Sequence, residues 1–391
     1  MDFQLDDDHR MLQEEVRSFA ENEIAPGAEE RDRECRVPDA LRAKMAEMGF
    51  FGIAVPTEYG GAGLGCLASC IVVEEVSRAC AGCGVLVSAH NSLCIEPILL
   101  FGTQEQKQQF LPALASGETI GCLALTEPGS GTDMGAARCR AELKDDGWHL
   151  NGTKIFVTNG GEAGLTVVLT LTDPEAAKKS RRLSLLVVER DTPGLQLGKL
   201  EKKLGIRCST TAEYVFEDCV VPPGNVLGER GLGTRQALTI LDGGRIGIAA
   251  QALGIARACL DESAKYANTR EQFGRPIGEF QAIQWKLSDM AVSIAASREL
   301  IYRAAWLKDT GGDYSYTGAM AKLFASETAS RCANHAVQVF GGYGYCQDYP
   351  VERLLRDAKI TEIYEGTSEV QRMVIARGVM AQAENNWEAT V

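Results

Sequence analysis

The feature that most constrains this chain is its hydrophobic period, which changes twice along the length. Up to about Ala115 the spacing is helical. Asp6 to Ala25 sets Leu12, Val16, Phe19 and Ile24 on one stripe, and Pro26 closes it. Pro38 opens a second segment in which Leu41, Met45 and Met48 recur and Gly49 stands where a C-terminal cap belongs. Thr57 to Gly65 reads as a glycine-rich loop, followed by helices over Leu67 to Cys80, Ser92 to Phe101 and Thr103 to Ala115. Past Gly117 the texture becomes short β-branched runs: Ile120 to Leu125, Ala137 to Leu143, Lys154 to Thr158, Leu165 to Leu171, Leu183 to Val188 and Glu213 to Val221. From about Gly231 three long helical segments follow, near Thr234 to Arg270, Gly278 to Lys308 and Tyr316 to Phe340. The expectation is an α+β chain with an N-terminal α domain at 1–119, a middle β domain at 120–231 and a C-terminal α domain at 232–391.

Composition then excludes several classes of function. With 391 residues, 45% of them hydrophobic and 24% charged, the chain is long and apolar enough to bury a large core. Its net charge of −13 has the wrong sign for holding a nucleic acid or an anionic membrane through a general basic field. A small polyanion stays open, because a cofactor phosphate needs only a few local arginines and amides. No run reaches the ~18 apolar residues of a membrane span, the longest candidate being Ile246 to Ala256. An acidic start at Met1 without a leader pattern points to a bacterial cytoplasm, or to a mitochondrial matrix if a leader was removed.

The 13 cysteines are scattered and odd in number, which argues against a disulfide framework. Cys80-Ala-Gly-Cys83 is a Cys-x-x-Cys, and Cys66 and Cys70 lie one helical turn apart. No second pair at ligand spacing completes a metal site, so these thiols are expected to pack as small hydrophobes.

A Gly-x-Gly-x-x-Gly between strand and helix is absent, and Gly147 to Lys154 ends in Gly152-Thr153-Lys154 where a phosphate loop requires Gly-Lys-Ser/Thr. Leu125-Thr126-Glu127-Pro128-Gly129-Ser130-Gly131-Thr132-Asp133 is more informative, since glycines admit a ligand to the backbone and Ser130 and Thr132 supply hydroxyls. On these residues alone, a ligand loop and a plain turn weigh equally. Four further segments accompany it: Lys154 to Gly160, Arg270-Glu271-Gln272-Phe273-Gly274-Arg275-Pro276, Gln338 to Gly344, and Ile363-Tyr364-Glu365-Gly366-Thr367. Together, and in this order, they resemble the acyl-CoA dehydrogenase family of FAD enzymes over essentially the whole chain.

That resemblance implies an N-terminal helical domain, a middle β domain of barrel-like or sandwich form and a C-terminal four-helix bundle, assembled as a homotetramer. It implies that Leu123, Ala124, Leu125, Thr126, Glu127, Pro128, Gly129, Ser130, Gly131 and Thr132 line the flavin, and that Phe156, Val157 and Thr158 cover one face of it. Many members carry tryptophan where this chain has Phe156. Arg270, Phe273 and Gln281, with Gln338, Val339, Phe340, Gly341 and Gly342, would reach the FAD of a neighbouring subunit, and Thr367, Ser368 and Glu369 complete the cofactor set. A diphosphate rewards the forked, permanently charged donor that Arg270 supplies.

Glu365 is the expected base. Taken alone, a Glu just before a helix reads as a partner of the helix dipole. Removing the α-proton of a thioester instead requires a carboxylate made more basic by desolvation, and Ile363, Tyr364 and Gly366 give it apolar surroundings. The family mechanism places the α-proton on Glu365, sends the β-hydrogen as hydride to the flavin, steadies the enolate with the Glu365 amide, and yields a trans-2-enoyl-CoA. Electron-transfer flavoprotein is the implied electron acceptor. Asp242, Gly243, Gly244 and Arg245, with Thr132, Tyr364 and Gly366, are the implied substrate residues, although Asp242 and Arg245 are also spaced to pair with each other. The isovaleryl branch carries its base directly before this arginine, where the chain has Gly244. Ser92-Leu93-Cys94 and Asp242 to Arg245 look most like short-chain, butyryl-type members. The alternatives are a branched, cyclic or dicarboxylic acyl-CoA, a flavoprotein subunit that binds acyl-CoA without catalysis, and an oxygen-reactive oxidase.

Overall fold

The computed structural model describes residues 4–384, so the acidic start at Met1 and the end of the expected C-terminal domain lie outside the described residues. Helices α1 (Asp7–Phe19), α2 (Ala28–Glu34), α3 (Asp39–Glu47), α4 (Cys66–Ala79), α5 (Ala81–Ala89), α6 (Glu96–Phe101) and α7 (Gln104–Ala115) form the first part. Asp6 caps α1 by accepting from the His9 amide at 2.8 Å, and Thr103 with Gln106 closes a reciprocal capping box on α7.

Helix α5 is absent from the sequence expectation, which assigns nothing between Cys80 and Ser92. Gly84 is needed for packing: a Cβ there would collide with the Ser77 side chain on α4. Through a π-helical turn at His90–Ile95, α5 and α6 join into one helix, Ala81–Phe101, of 21 residues. By length and composition this helix could cross a membrane, contrary to the expectation that no stretch is apolar enough, but most of it is buried inside the protein, as in a core helix. His90 sits fully buried within it, accepting from the Gly121 amide at 2.9 Å, and burial lowers its pKa to about 4.

The middle part is one mixed sheet of eight strands: β1 (Gly121–Ala124), β2 (Arg140–Lys144), β3 (Gly147–Thr158), β4 (Leu165–Leu171), β5 (Leu183–Glu189), β6 (Leu195–Leu200), β7 (Thr211–Val221) and β8 (Val226–Leu227). The order is β6-β7-β3-β2-β4-β5-β8, with β1 parallel to β4. A single bridge, Arg140 to Leu171, joins β2 to β4. The two halves on either side of it share a core of Trp148, Leu150, Tyr214 and Phe216 with Cys122, Val168, Leu186 and Val188, the sandwich-like arrangement expected. Gly147 to Lys154, the near miss to a phosphate loop, is β3 itself. On the opposite face of β4 and β5, Val167, Leu169 and Leu185 pack with Leu93, Leu111 and Ile240, which docks the sheet on the helices.

The C-terminal part comprises α8 (Gly233–Thr269), a two-stranded hairpin of β9 (Glu271–Gln272) and β10 (Arg275–Pro276), α9 (Gln281–Asp309), α10 (Ser315–Phe340), α11 (Pro350–Ile360) and α12 (Ser368–Glu384). The bundle is built of α8, α9 and α10, with α12 laid against α10 and α4 inserted from the first part.

A buried ionic network fixes that insertion. Glu74 on α4 is fully buried and pairs with Arg257 at 2.8 Å and Arg298 at 2.7 Å, while the Tyr302 hydroxyl donates to it at 3.0 Å. Its neighbour Glu75 takes Arg17 at 3.0 Å and Arg257 at 2.7 Å, so α1, α4, α8 and α9 meet at two carboxylates. Removing one member leaves buried guanidinium charge uncompensated. Glu74→Ala is therefore expected to lower stability by about 3 to 5 kcal/mol, read as an earlier thermal and denaturant midpoint.

Candidate active site

The chain places Glu365 in a short turn between α11 and α12. Its backbone is left-handed at φ 50°, followed by Gly366 at φ 94°. For a glutamate this conformation is strained, and three hydrogen bonds from two side chains hold it. Lys322 on α10 donates from Nζ to the Gly366 carbonyl at 2.8 Å, and Gln371 donates from Nε2 to the same oxygen at 2.9 Å and to the Glu365 carbonyl at 3.3 Å. Tyr364 is pinned by its hydroxyl on the Gln251 side-chain oxygen of α8.

This turn aims the carboxylate at α8. Glu365 Oε2 lies directly over Gly244, so close that a Cβ at that position would overlap it. The oxygen is shielded from solvent and has no hydrogen-bond partner. Burial pushes the Glu365 carboxyl up to about 7, while Lys322 and Arg245 pull it down and Glu96 raises it. Lys322 feels the same environment: desolvation lowers it to about 8, against the support of Glu365. A group that titrates near neutrality, with one oxygen free, is suited to accepting a proton. The Glu365 N–H likewise bonds to no other described residue.

Around it, Arg245 is buried and paired with Asp242, whose other oxygen accepts from Ser315 Oγ at 3.0 Å. The pairing of these two residues is thus realised. Gly243 faces a second pair, Lys308 with Glu96 at 2.6 Å. Leu93, from the π-helical turn, would lie 3.3 Å from a Cβ at Gly244 and belongs to the same apolar cluster as Leu123, Leu125 and Met134. Through Leu93 the loop after β1 and the Glu365 turn border one region.

That loop is rigid for visible reasons. Glu127 and Ser130 bridge each other, and Ser130 Oγ donates to the Asp133 carbonyl at 2.7 Å. Buried Glu127 accepts from the amides of Arg138 at 2.7 Å and Cys139 at 2.9 Å and from Lys154 Nζ at 2.7 Å, and Lys154 also donates to the Leu125 carbonyl at 2.9 Å. The Glu127 carboxylate is spent on holding the loop and is not directed outward. Pro128, Gly129, Gly131 and Thr132 are exposed at its tip, and a Cβ on Gly129 or Gly131 would meet only open space. Beside it, a register shift between Lys154 and Val157 in the β3–β7 ladder bulges Phe156 outward at φ 56° and 60% exposure, with Val157 buried and Thr158 half-buried.

The remaining predicted residues form other groups. Thr367, Ser368 and Glu369 line a polar cavity of ≈ 500 Å³ with Arg331, Lys359 and Arg372, and Ser368 Oγ there has no partner. Arg270 stacks over the Tyr343 ring at 5.4 Å, next to Gly341 and Gly342, whose Cβ positions face open space. Phe273 is 94% exposed at the tip of the β9–β10 hairpin, and Gln281 and Gln338 are exposed. Val339 and Phe340 differ: both are buried, Phe340 stacked on Tyr266 at 4.0 Å, so only their backbone is available to a ligand. Lys322 and Lys154 were missed by the sequence reading. Lys322 is a lone lysine in a segment otherwise apolar, a signal visible in Gly318-Ala319-Met320-Ala321-Lys322, whereas Lys154 sits between exposed and half-buried neighbours on β3 and carries no such signal.

Comparison with known proteins agrees over the whole length. Family models described as the acyl-CoA dehydrogenase N-terminal, middle and C-terminal domains match residues 6–118, 122–219 and 231–380. The chain is 51% identical to the mitochondrial short-chain specific acyl-CoA dehydrogenase of Mus musculus, over 95% of this chain and 90% of that one. It is 50% identical to the short-chain specific acyl-CoA dehydrogenase of Clostridium acetobutylicum, over 96% and 99%. The solved butyryl-CoA dehydrogenase of Megasphaera elsdenii superposes with a TM-score of 0.94 at 43% identity, covering 97% of this chain and all of that one.

The buried carboxylate has a thermodynamic signature. Because the folded protein holds the Glu365 proton up to about 7, where an unfolded carboxyl releases it near 4.5, this group costs stability as pH rises through that window. Glu365→Gln is expected to melt like the parent at pH 4 and to gain up to about 3 kcal/mol at pH 8, measured by denaturant unfolding.

Proposed function

The chain belongs to the acyl-CoA dehydrogenase family, and we propose that it converts a short-chain acyl-CoA to the trans-2-enoyl-CoA with Glu365 as the base. It is an oxidoreductase, and its cofactor, as throughout that family, is FAD. The observation that carries the assignment of the base is the unpartnered Glu365 Oε2, held dry over Gly244 by Lys322 and Gln371. A side chain at Gly244 and the Glu365 carboxylate would compete for one space, so a base supplied from α8 and a base supplied from this turn reach the same point.

The residues fit FAD in three places. The exposed Gly129 and Gly131 tip, the open Gly341-Gly342 backbone beside Arg270, and the unpartnered Ser368 hydroxyl in its polar cavity each leave donors or space for a ligand. Bound there, FAD supplies the acceptor for the hydride leaving the β-carbon. The chain supplies the rest. Glu365 Oε2 takes the α-proton as that hydride departs, and the free Glu365 N–H is positioned in sequence to bond the thioester oxygen as negative charge grows on it. Lys322 keeps part of the carboxylate ionised near neutrality, where burial alone would protonate it. Leu93 and the apolar cluster behind it keep water from the base.

Short chain length is supported by the similarity to two short-chain enzymes and a butyryl enzyme. Phe273 at 94% exposure, on a hairpin beside Arg270, favours completion of the cofactor site by a second copy, which accords with the homotetramer that the family resemblance implies. Electron-transfer flavoprotein is the proposed electron acceptor, and the domains divide near residues 119 and 231.

Two measurements test this. Glu365→Gln is expected to retain yellow FAD and bind butyryl-CoA while flavin bleaching slows by at least ~10²-fold. With the parent enzyme, kcat/KM should rise with pH through about 7, because the free base must be ionised. Lys322→Met removes the cation that pulls hardest on the Glu365 carboxyl and should move that limb to higher pH. Gln371 still holds the turn at 2.9 Å, so a limb that stays in place contradicts the assignment.

A further inference from the structure

Cys80 and Cys83 do not stand alone. The loop between β6 and β7 carries Cys208 to them, and the three sulfurs lie within 4.8 Å of one another, with Cys80 Sγ to Cys208 Sγ at 3.8 Å. No second pair at ligand spacing is expected from the sequence, and none is present in this group, but a single distant cysteine joins the Cys-x-x-Cys. Cys208 is 128 residues away, where sequence spacing carries no signal. The contact is built in: Gly82 lies against the Cys208 sulfur, and a Cβ at that position would collide with it.

We propose that Cys80, Cys83 and Cys208 form a thiol site that reduces a peroxide, with Cys80 attacking and Cys208 closing a reversible disulfide across the domain boundary. Cys80 stands at the break between α4 and α5, where it is the N-cap of α5, the place where a helix favours negative charge. Arg31, whose charge is supported by the sulfurs of Cys80, Cys83 and Cys208, is 5% exposed; it donates from Nη2 to the Ile24 carbonyl, its Nε has no partner, and no carboxylate pairs with it among the described residues. A buried guanidinium without a carboxylate demands an anion, and one thiolate among the three sulfurs supplies it. The thiols of Cys208 and Cys83, and then Arg31, hold the Cys80 thiol well below its ordinary range. Those two neighbours are raised, so they stay protonated as donors.

Access comes through a cavity of ≈ 330 Å³ lined by Cys80, Arg17, Arg78, Arg353 and Asp357. Cys83 is fully buried behind Cys80, which leaves Cys80 as the sulfur that meets a small oxidant. The step balances. Cys80 thiolate displaces hydroxide from hydrogen peroxide to form a sulfenic acid. The Cys208 thiol then attacks that sulfur, and the leaving hydroxyl with the thiol proton departs as water. Two thiols are oxidised by two electrons and one peroxide is reduced. The new bond would tie α5 to the 201–210 loop, whose Ile206 amide is already anchored to buried Asp357 on α11, the helix that leads to the Glu365 turn.

The test uses the full-length holoenzyme, reduced, desalted and treated anaerobically with one equivalent of hydrogen peroxide, then denatured, alkylated and peptide-mapped. Expected is a fall of two from the 13 free thiols, with Cys80 and Cys208 recovered as one cross-linked peptide pair that dithiothreitol releases. In the Cys83→Ser/Cys208→Ser variant the cross-link is lost and dimedone labels Cys80. Oxidation confined to the exposed Cys35 and Cys346, or a Cys80 to Cys83 bond in the parent protein, overturns the proposal. The parent map alone decides this even if the double variant fails to fold.

Discussion

A carboxylate kept out of water, directly above a glycine, is the constraint on which the rest of this molecule is arranged. Glu365 accepts a left-handed backbone and a desolvated oxygen, both unfavourable by themselves. The surrounding structure offsets them with a buried lysine on α10, a glutamine on α12 and a tyrosine anchored to α8. Three helices from distant stretches of sequence therefore converge on one turn. The long α8 then serves twice, offering Gly244 as the surface beneath the carboxylate and Arg245 as a buried cation nearby.

That convergence needs a stiff frame, and the frame is ionic where it joins the parts. Glu74 and Glu75 gather arginines from α1, α8 and α9, and Glu127 with Lys154 locks the loop after β1 to β3. Buried pairs of this kind add little net stability over apolar packing, but they enforce register, because each charge has one place where it is balanced. The apolar cluster running from Leu93 to Leu123 and Leu185 does the complementary work of docking the sheet on the helices.

Much of this was legible in the sequence, for reasons that can be named. β4 appears at Leu165–Leu171 as read, because both of its faces are covered and the run is aliphatic and β-branched throughout. β6, Leu195–Leu200, escaped notice because it is an edge strand with Gly198 and Lys199 and mostly exposed side chains, so no alternation marks it. α5 was hidden by glycines that exist for close packing. At the site, the positions of Glu365 and the glycine loop could be anticipated only through the five-segment resemblance, since a lone glutamate before a helix carries no such message. Lys322 shows locally only as a lysine among apolar residues, and the role of Lys154 and the approach of Cys208 to Cys80 depend on long-range contacts that no local pattern encodes.

The roles given to Glu365, Lys322 and the glycine loop all presuppose that this site oxidises a short acyl chain. The most direct measurement is an anaerobic titration of the purified yellow protein with butyryl-CoA, followed by its visible absorbance. Bleaching of the flavin band that saturates near one equivalent per site is the predicted result. A flavin band left unchanged by excess butyryl-CoA would contradict it.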